Sequence, residues 1–115
     1  MPESRDLDLL QGTLDLMILR ALSWGQMHGF GIAKYLHKTT DGVLEVDDGA
    51  LYPALHRMDH RGLISSAWGV TANGRRAKYY QLTPHGRRQL RTRVAAWDRY
   101  VDALTKVIHA TMQPA

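Results

Sequence analysis

Basic side chains are concentrated in one part of the chain, with a spacing that suits contact with a polyanion. Between Arg61 and Trp97 there are eight Lys or Arg residues and no Asp or Glu. Three of them, Arg75, Arg76 and Lys78, follow an Asn-Gly pair that is typical of a hairpin turn. Cations on a hairpin are placed to contact the phosphates or the minor groove of duplex DNA. A solvated loop tip is the competing interpretation, but it does not explain why no acid stands nearby.

A second polar group lies on the segment that precedes this hairpin. Residues 49–64, GALYPALHRMDHRGLI, have the apolar spacing of a short helix, whose outward positions carry Tyr52, His56, Arg57 and Arg61. Charged residues on a helix face are usually solvated, but a basic hairpin directly after the helix favours DNA recognition. The sequence therefore predicts DNA-binding residues on two elements, without assigning a base to any of them.

Other chemistry has weaker support. His56, Asp59 and His60 have the H-x-x-D-H spacing in which two imidazoles one helical turn apart can share a metal ion, but the pattern offers no third ligand. Neither a Gly-rich phosphate loop nor a nucleophile elbow is present. The chain has no cysteine, which excludes disulfides and thiolate metal sites. We therefore expect no enzyme, no metal and no cofactor, with a small metal enzyme as the remote alternative.

Length and charge limit the possible architecture. The 115 residues, 44% of them hydrophobic, suffice for one small domain. Residues 1–60 hold nine acids and five bases, and residues 98–115 hold two of each, so the net charge of +4 hides a basic centre. The N-terminal segment lacks the features of a signal peptide, and no apolar run is long enough for a bilayer. We therefore expect a soluble cytoplasmic protein.

Apolar periodicity and turn residues predict the elements that position these groups. Pro53 is expected in the first turn of its helix, and Asn73-Gly74 in a type I′ turn. The expected order is a polar arm (residues 1–8), helices Thr13–Trp24 and His28–Lys38, a short strand Val43–Val46, a helix from about Gly49 to Gly62, strands Leu63–Trp68 and Ala77–Thr83, and a helix Pro84–Thr111. The fold class is mainly α with a small β-hairpin wing: a winged helix-turn-helix (residues 1–83) and a long C-terminal dimerisation helix (residues 84–115) in one compact unit.

The last helix carries an apolar seam. Its members are spaced 4, 3, 4, 3 and 4 residues apart, as in a coiled coil: Leu90, Val94, Trp97, Val101, Leu104 and Ile108. A helix of about 25 residues is roughly 37 Å long, too long for a small body to cover its whole seam. We expect a homodimer, although part of the seam can fold back onto the first helix of the same chain.

Four segments together are similar to a known family. Residues 14–21, HGFGIA (residues 28–33), GALYPALHRMDHRGLI (residues 49–64) and RRAKYYQLTPHGRRQL (residues 75–90) resemble PadR-type transcriptional regulators, and the resemblance extends from about Leu10 to Ile108. It implies a homodimeric repressor with a winged helix-turn-helix, which in some members is released from DNA by a phenolic acid or a planar drug. The single C-terminal helix resembles the short subgroup of the family.

The resemblance also bears on individual residues. It implies that Tyr52 contacts the DNA backbone, whereas Phe30 departs from the Tyr that many members carry. Trp97, with Asp98 and Val101 beside it, resembles the site at which multidrug-sensing members stack flat aromatic ligands, but plain core packing explains Trp97 equally well. We expect a sequence-specific DNA-binding regulator, a homodimeric repressor responsive to a small aromatic ligand. A winged-helix module that binds proteins and not DNA is the alternative.

Overall fold

A computed structural model describes residues 3–112, with the side chains of residues 12–112. Its elements follow the order α1 (Glu3–Leu22), β1 (Met27–His28), α2 (Gly29–Thr39), α3 (Asp48–His60), β2 (Ile64–Val70), β3 (Arg76–Leu82) and α4 (Pro84–Ile108). The three strands form one antiparallel sheet in the order β1-β3-β2. The predicted fold class, a winged helix-turn-helix followed by a long C-terminal helix, is confirmed.

The helix starts are fixed by short-range hydrogen bonds. The side chains of His28, Asp47 and Thr83 each accept the backbone N–H of the residue three positions later, all at 2.9 Å. Such N-caps satisfy donors that have no partner inside the helix. The predicted pair Thr83-Pro84 therefore begins α4, and the predicted Gly62, whose φ is +75°, stands directly after the C-cap Arg61 of α3.

Four local predictions are wrong. Residues 3–8 belong to α1 and do not form a loose arm (residues 1 and 2 lie outside the described part), because the Glu, Arg and Leu of this segment favour helix. Val43–Val46 forms no strand, since the Leu44 N–H bonds to Thr40 Oγ1 at 3.0 Å and not to a neighbouring strand.

The other two corrections concern turn residues. Pro53 lies in the second turn of α3, because Asp47 caps the helix earlier than expected. In the hairpin turn only Gly74 has a positive φ, so the turn is not type I′. Thr71 closes it by bonding both to the Gly74 N–H and to the Arg75 carbonyl, at 2.9 and 2.7 Å.

The core lies between α1, α2, α3 and the root of the sheet. Its largest fully buried side chains are Ile18, Leu19, Leu22, Ile32, Leu51, Leu55, Met58 and Ile64. Leu90 is the buried side chain that α4 adds, and Val94 packs against the same core from one turn further along. The part of α4 that carries Leu90 and Val94 therefore belongs to the compact body of the protein. The longest dimension of the fold is 63 Å.

Candidate nucleic-acid interface

The α3 helix buries one face and exposes the other. Leu51, Ala54, Leu55 and Met58 are buried, with the spacing of a single helical stripe. The polar positions predicted from the sequence lie outside this stripe. Tyr52, His56 and Arg61 are exposed, whereas Arg57 is only half-exposed. This arrangement leaves a polar face available to a partner.

Tyr52 is held by a glycine on another element. Its ring packs against Gly29 so closely that a Cβ there would overlap the ring and its hydroxyl. Gly29 is the first residue of α2 and is itself buried. The glycine is therefore needed for close approach, which orients Tyr52 while leaving 44% of the residue exposed. The sequence shows both residues but not their contact.

Arg57 is tied to the body of the molecule. Its Nη2 donates to Asp15 Oδ1 of α1 at 3.2 Å, and the Asp15 side chain is only 13% exposed. The two residues are 42 positions apart, so periodicity gave no sign of the pair. Of the predicted DNA-binding residues on α3, Arg57 is thus the one that already has an anionic partner inside the chain.

The H-x-x-D-H motif also has a role within the fold. Asp59 Oδ2 accepts a hydrogen bond from Ser66 Oγ at 3.0 Å, which joins the end of α3 to β2. Within residues 12–112, no group of three or more potential ligands is placed to hold a metal ion. The bond positions the wing, defined here as β2, β3 and their turn (residues 64–82), beside α3.

The projecting half of the wing is basic and aromatic. Arg75, Arg76 and Lys78 are exposed, as is Trp68 on the opposing strand. The Arg76 guanidinium carbon lies 4.6 Å from the centre of the Trp68 ring, and Lys78 Nζ lies 5.9 Å from it. Sequence reasoning missed Trp68, although its cross-strand position is implied by the hairpin register.

The root of the wing is apolar and buried. Tyr80 is 7% exposed and packs in the core with Ile64 and Leu82. Burial raises the pKa of the Tyr80 hydroxyl above its usual value, and the nearby Tyr52 and Asp59 raise it further. The neutral phenol is therefore the form that the fold favours.

The distal half of α4 (residues 97–108) carries most of the predicted seam into solvent. Trp97 and Leu104 are each 40% exposed and Ile108 is 63% exposed, while Val101 is half-buried. The Tyr100 ring lies 6.0 Å from the Trp97 ring, and Asp98 is exposed beside them. Leu90, the first member of the seam, is instead covered within a single copy.

Comparisons with known proteins agree with this arrangement. The profile of the transcriptional regulator PadR-like family matches residues 18–92. A transcriptional regulator from Clostridium thermocellum is 28% identical, with a TM-score of 0.77 over 86% of this chain and 93% of that one. A PadR-like transcriptional regulator from Bacillus cereus is 26% identical, with a TM-score of 0.77 over 90% and 98% of the two chains.

Two further relatives extend the agreement. A PadR family transcriptional regulator from Eggerthella lenta is 29% identical, with a TM-score of 0.76 over 95% of this chain and 93% of that one. An uncharacterized protein of Lysinibacillus sphaericus is 27% identical over 78% of this chain and 83% of its own. None of the helices in the described part is long and apolar enough to cross a membrane. The family match, the winged fold and the basic hairpin lead to one conclusion: the chain belongs to the PadR-like family of transcriptional regulators, which bind DNA.

Proposed function

We propose that the protein is a homodimeric repressor whose two copies bind duplex DNA through α3 and the wing. The main support is that the exposed polar face of α3 lies beside a wing that bears three exposed cations, with the Ser66–Asp59 hydrogen bond linking the two elements. No acid occurs between Arg61 and Trp97, so the wing presents positive charge without internal neutralisation. A surface of this kind attracts the phosphate backbone.

The two elements have different parts in binding. Tyr52 and His56 on α3, and Arg61 directly after it, face a major groove, with Tyr52 on the phosphate backbone and the others within reach of base edges. Arg75, Arg76 and Lys78 on the wing contact the adjacent phosphates or minor groove. These contacts are the proposed DNA-binding set.

Arg57 completes that set in a lesser role. Its bond to Asp15 leaves it less free for phosphate than its neighbours on α3. Its side chain remains 34% exposed, so it can still approach DNA while it holds α3 to α1.

Dimerisation through the distal half of α4 explains why its seam is apolar. Trp97, Val101, Leu104 and Ile108 leave a continuous apolar stripe that one copy does not cover. A second copy, paired along the same stripe, buries it and places two α3 helices about one DNA turn apart. Val94 lies at the edge of this interface, and Leu90 supports it from the core.

The decisive experiment is the recovery of bound fragments from a random duplex library. We expect enriched sequences with two inverted half-sites spaced by about 10 base pairs. Matched selections use Arg75→Ala/Arg76→Ala and, as a control with one charge removed elsewhere, Arg99→Ala. Retention of duplex without any enriched sequence would limit the protein to non-specific binding. Failure to retain duplex at low salt would favour the protein-binding alternative.

Repression is tested by transcription from a template that carries the selected site, with the protein present or absent.

The effector is proposed to be a flat aromatic compound bound at Trp97, with Asp98 and Val101 beside it. The support is that Trp97 stays 40% exposed and lies next to Tyr100 near the middle of the seam. Ligand binding releases DNA only if the ligand prefers a dimer whose two α3 helices no longer match the spacing of the DNA half-sites. A preference of about 1.4 kcal/mol for that dimer weakens DNA binding tenfold. Tryptophan quenching that persists in Trp97→Ala, or a quenching ligand without effect on DNA affinity, would refute this part.

A further inference from the structure

The hairpin register places an indole ring and two cations on one face of the wing. Trp68 pairs directly with Lys78, and Val70 pairs with Arg76. Side chains that are paired across antiparallel strands, or two residues apart along a strand, share a face of the sheet. Arg76 is therefore a diagonal neighbour of Trp68, which agrees with the 4.6 Å between the guanidinium carbon and the ring centre.

Core packing does not account for the position of this ring. The same face buries Ile64, Tyr80 and Leu82 at its root, but Trp68 is 60% exposed and Val70 68% exposed. Arg76 and Lys78 both lie over the ring. An exposed indole with cations against it is a platform for those cations, because the ring face attracts positive charge.

Such a platform has a consequence for phosphate binding. Arginine loses rotamer freedom when it is fixed against a partner, and a side chain that is ordered before binding loses less entropy on binding. A guanidinium that lies on a ring keeps its edge N–H groups free for phosphate oxygens. Among residues 12–112, the salt bridges involve Glu45, Asp15 and Asp102, and none includes Arg76 or Lys78.

We infer that Trp68 is a positioning residue that holds Arg76 for a contact with a DNA phosphate. The inference rests on the proposed function, because it takes duplex DNA as the partner of the wing. Trp68 acts through Arg76 and is not itself the group that contacts the phosphate. Arg75, which precedes Arg76 at the turn, serves as the internal comparison, since the cations that lie over the ring are Arg76 and Lys78.

The test is a double-mutant cycle on duplex affinity. Trp68→Leu removes the ring and keeps an apolar side chain, and Trp68→Phe keeps a ring. We expect Trp68→Leu to weaken binding by about threefold to fivefold per wing, the equivalent of an exposed cation–π contact, and Trp68→Phe to restore most of it. Thermal unfolding of each variant accompanies the titrations, because an intact wing is required for the comparison.

The two arginine backgrounds give the decisive result. In the Arg75→Ala background, Trp68→Leu is expected to keep its full effect, whereas in the Arg76→Ala background it is expected to lose most of it, because only the more distant Lys78 remains against the ring. Equal losses in both backgrounds would mean that the ring acts on DNA by itself or through Lys78 and not through Arg76, and no loss in the wild-type background would mean that it has no part in binding. Either result overturns the inference and leaves the proposed function intact. Absence of salt-dependent duplex binding by the wild type would instead overturn both.

Discussion

The wing and the distal half of α4 both leave the body and both expose large apolar side chains, yet their charges differ. On the wing, Trp68 has Arg76 and Lys78 against it and no acid within the hairpin. On the distal half of α4, two acids and two bases alternate, and Lys106 pairs with Asp102 at 3.1 Å. A surplus of cations suits a polyanion, whereas a balanced helix with an apolar stripe suits a second copy of itself. Both surfaces expose an indole ring, and it is the charge of the neighbouring side chains that makes one suited to DNA and the other to a second copy of the chain.

The largest expected effect comes from placing charge on the α4 stripe. Leu104→Glu puts one unpaired carboxylate from each copy into an apolar interface, which costs several kcal/mol and should raise the dimer dissociation constant by at least about 100-fold. DNA affinity should fall with it, because a single copy reads one half-site. Sedimentation equilibrium measures the first effect and a binding titration the second.

The matched control for that change is Ala103→Glu. It adds the same charge to the same helix at an exposed position off the seam. We expect it to leave dimerisation unchanged. If both variants dissociate equally, net charge and not the stripe governs association, and a wild-type monomer at tens of micromolar would remove the dimer from the proposal.

The next effect comes from removing charge from the wing. Arg75→Ala with Arg76→Ala should reduce the magnitude of the negative slope of log affinity against log salt by about 1.8 per wing, which weakens binding about 30-fold at physiological salt. Arg99→Ala removes a cation from the distal half of α4 and should leave the slope almost unchanged. An unchanged slope in the wing variant would show that the wing does not touch phosphate.

A smaller effect is expected from Arg57, which pairs with Asp15 inside the chain, unlike the exposed cations of the wing. Arg57→Ala and Asp15→Asn should each lower the free energy of unfolding by about 1 kcal/mol, as expected for a partly exposed ion pair. Together they should cost little more than either alone, because both remove the same contact. Urea denaturation measures this coupling. Additive losses would show that the pair does not stabilise the fold.

The elements that sequence reasoning found are those with local signals. Thr83-Pro84 at the start of α4 and Gly62 at the end of α3 are capping patterns that act over a few residues. The wing and the seam follow from periodicities of two and three to four residues. Local signals also misled at Pro53, because the Asp47 cap starts α3 before the predicted residue and leaves the proline outside the first turn.

The contacts that complete the candidate site are non-local. Gly29 meets Tyr52, and Asp15 meets Arg57, across long sequence separations. The two-residue strand β1, which pairs with Tyr79 and Tyr80 of β3, is too short for any periodicity. Trp68 meets Arg76 and Lys78 across the hairpin, and which residues of β2 and β3 face each other depends on the geometry of the turn, which the sequence pattern does not fix. These features depend on which elements pack together, and a single sequence does not specify that.

The smallest effect tests the boundary between the buried root of the wing and its exposed end. Because burial raises the pKa of Tyr80, the folded protein keeps the phenol proton at pH values where the unfolded chain has begun to lose it, above the usual pKa of 10.0. Stability from this group is thus complete below pH 10 and declines as the pH rises through the folded pKa. Tyr80→Phe should lose less stability between pH 8 and pH 10.5 than the wild type in urea titrations. Tyr100→Phe, which removes an exposed phenol from the distal half of α4, is the control. An equal loss of stability with rising pH in the wild type and Tyr80→Phe would mean that water reaches the Tyr80 hydroxyl. The root of the wing would then not be buried as described.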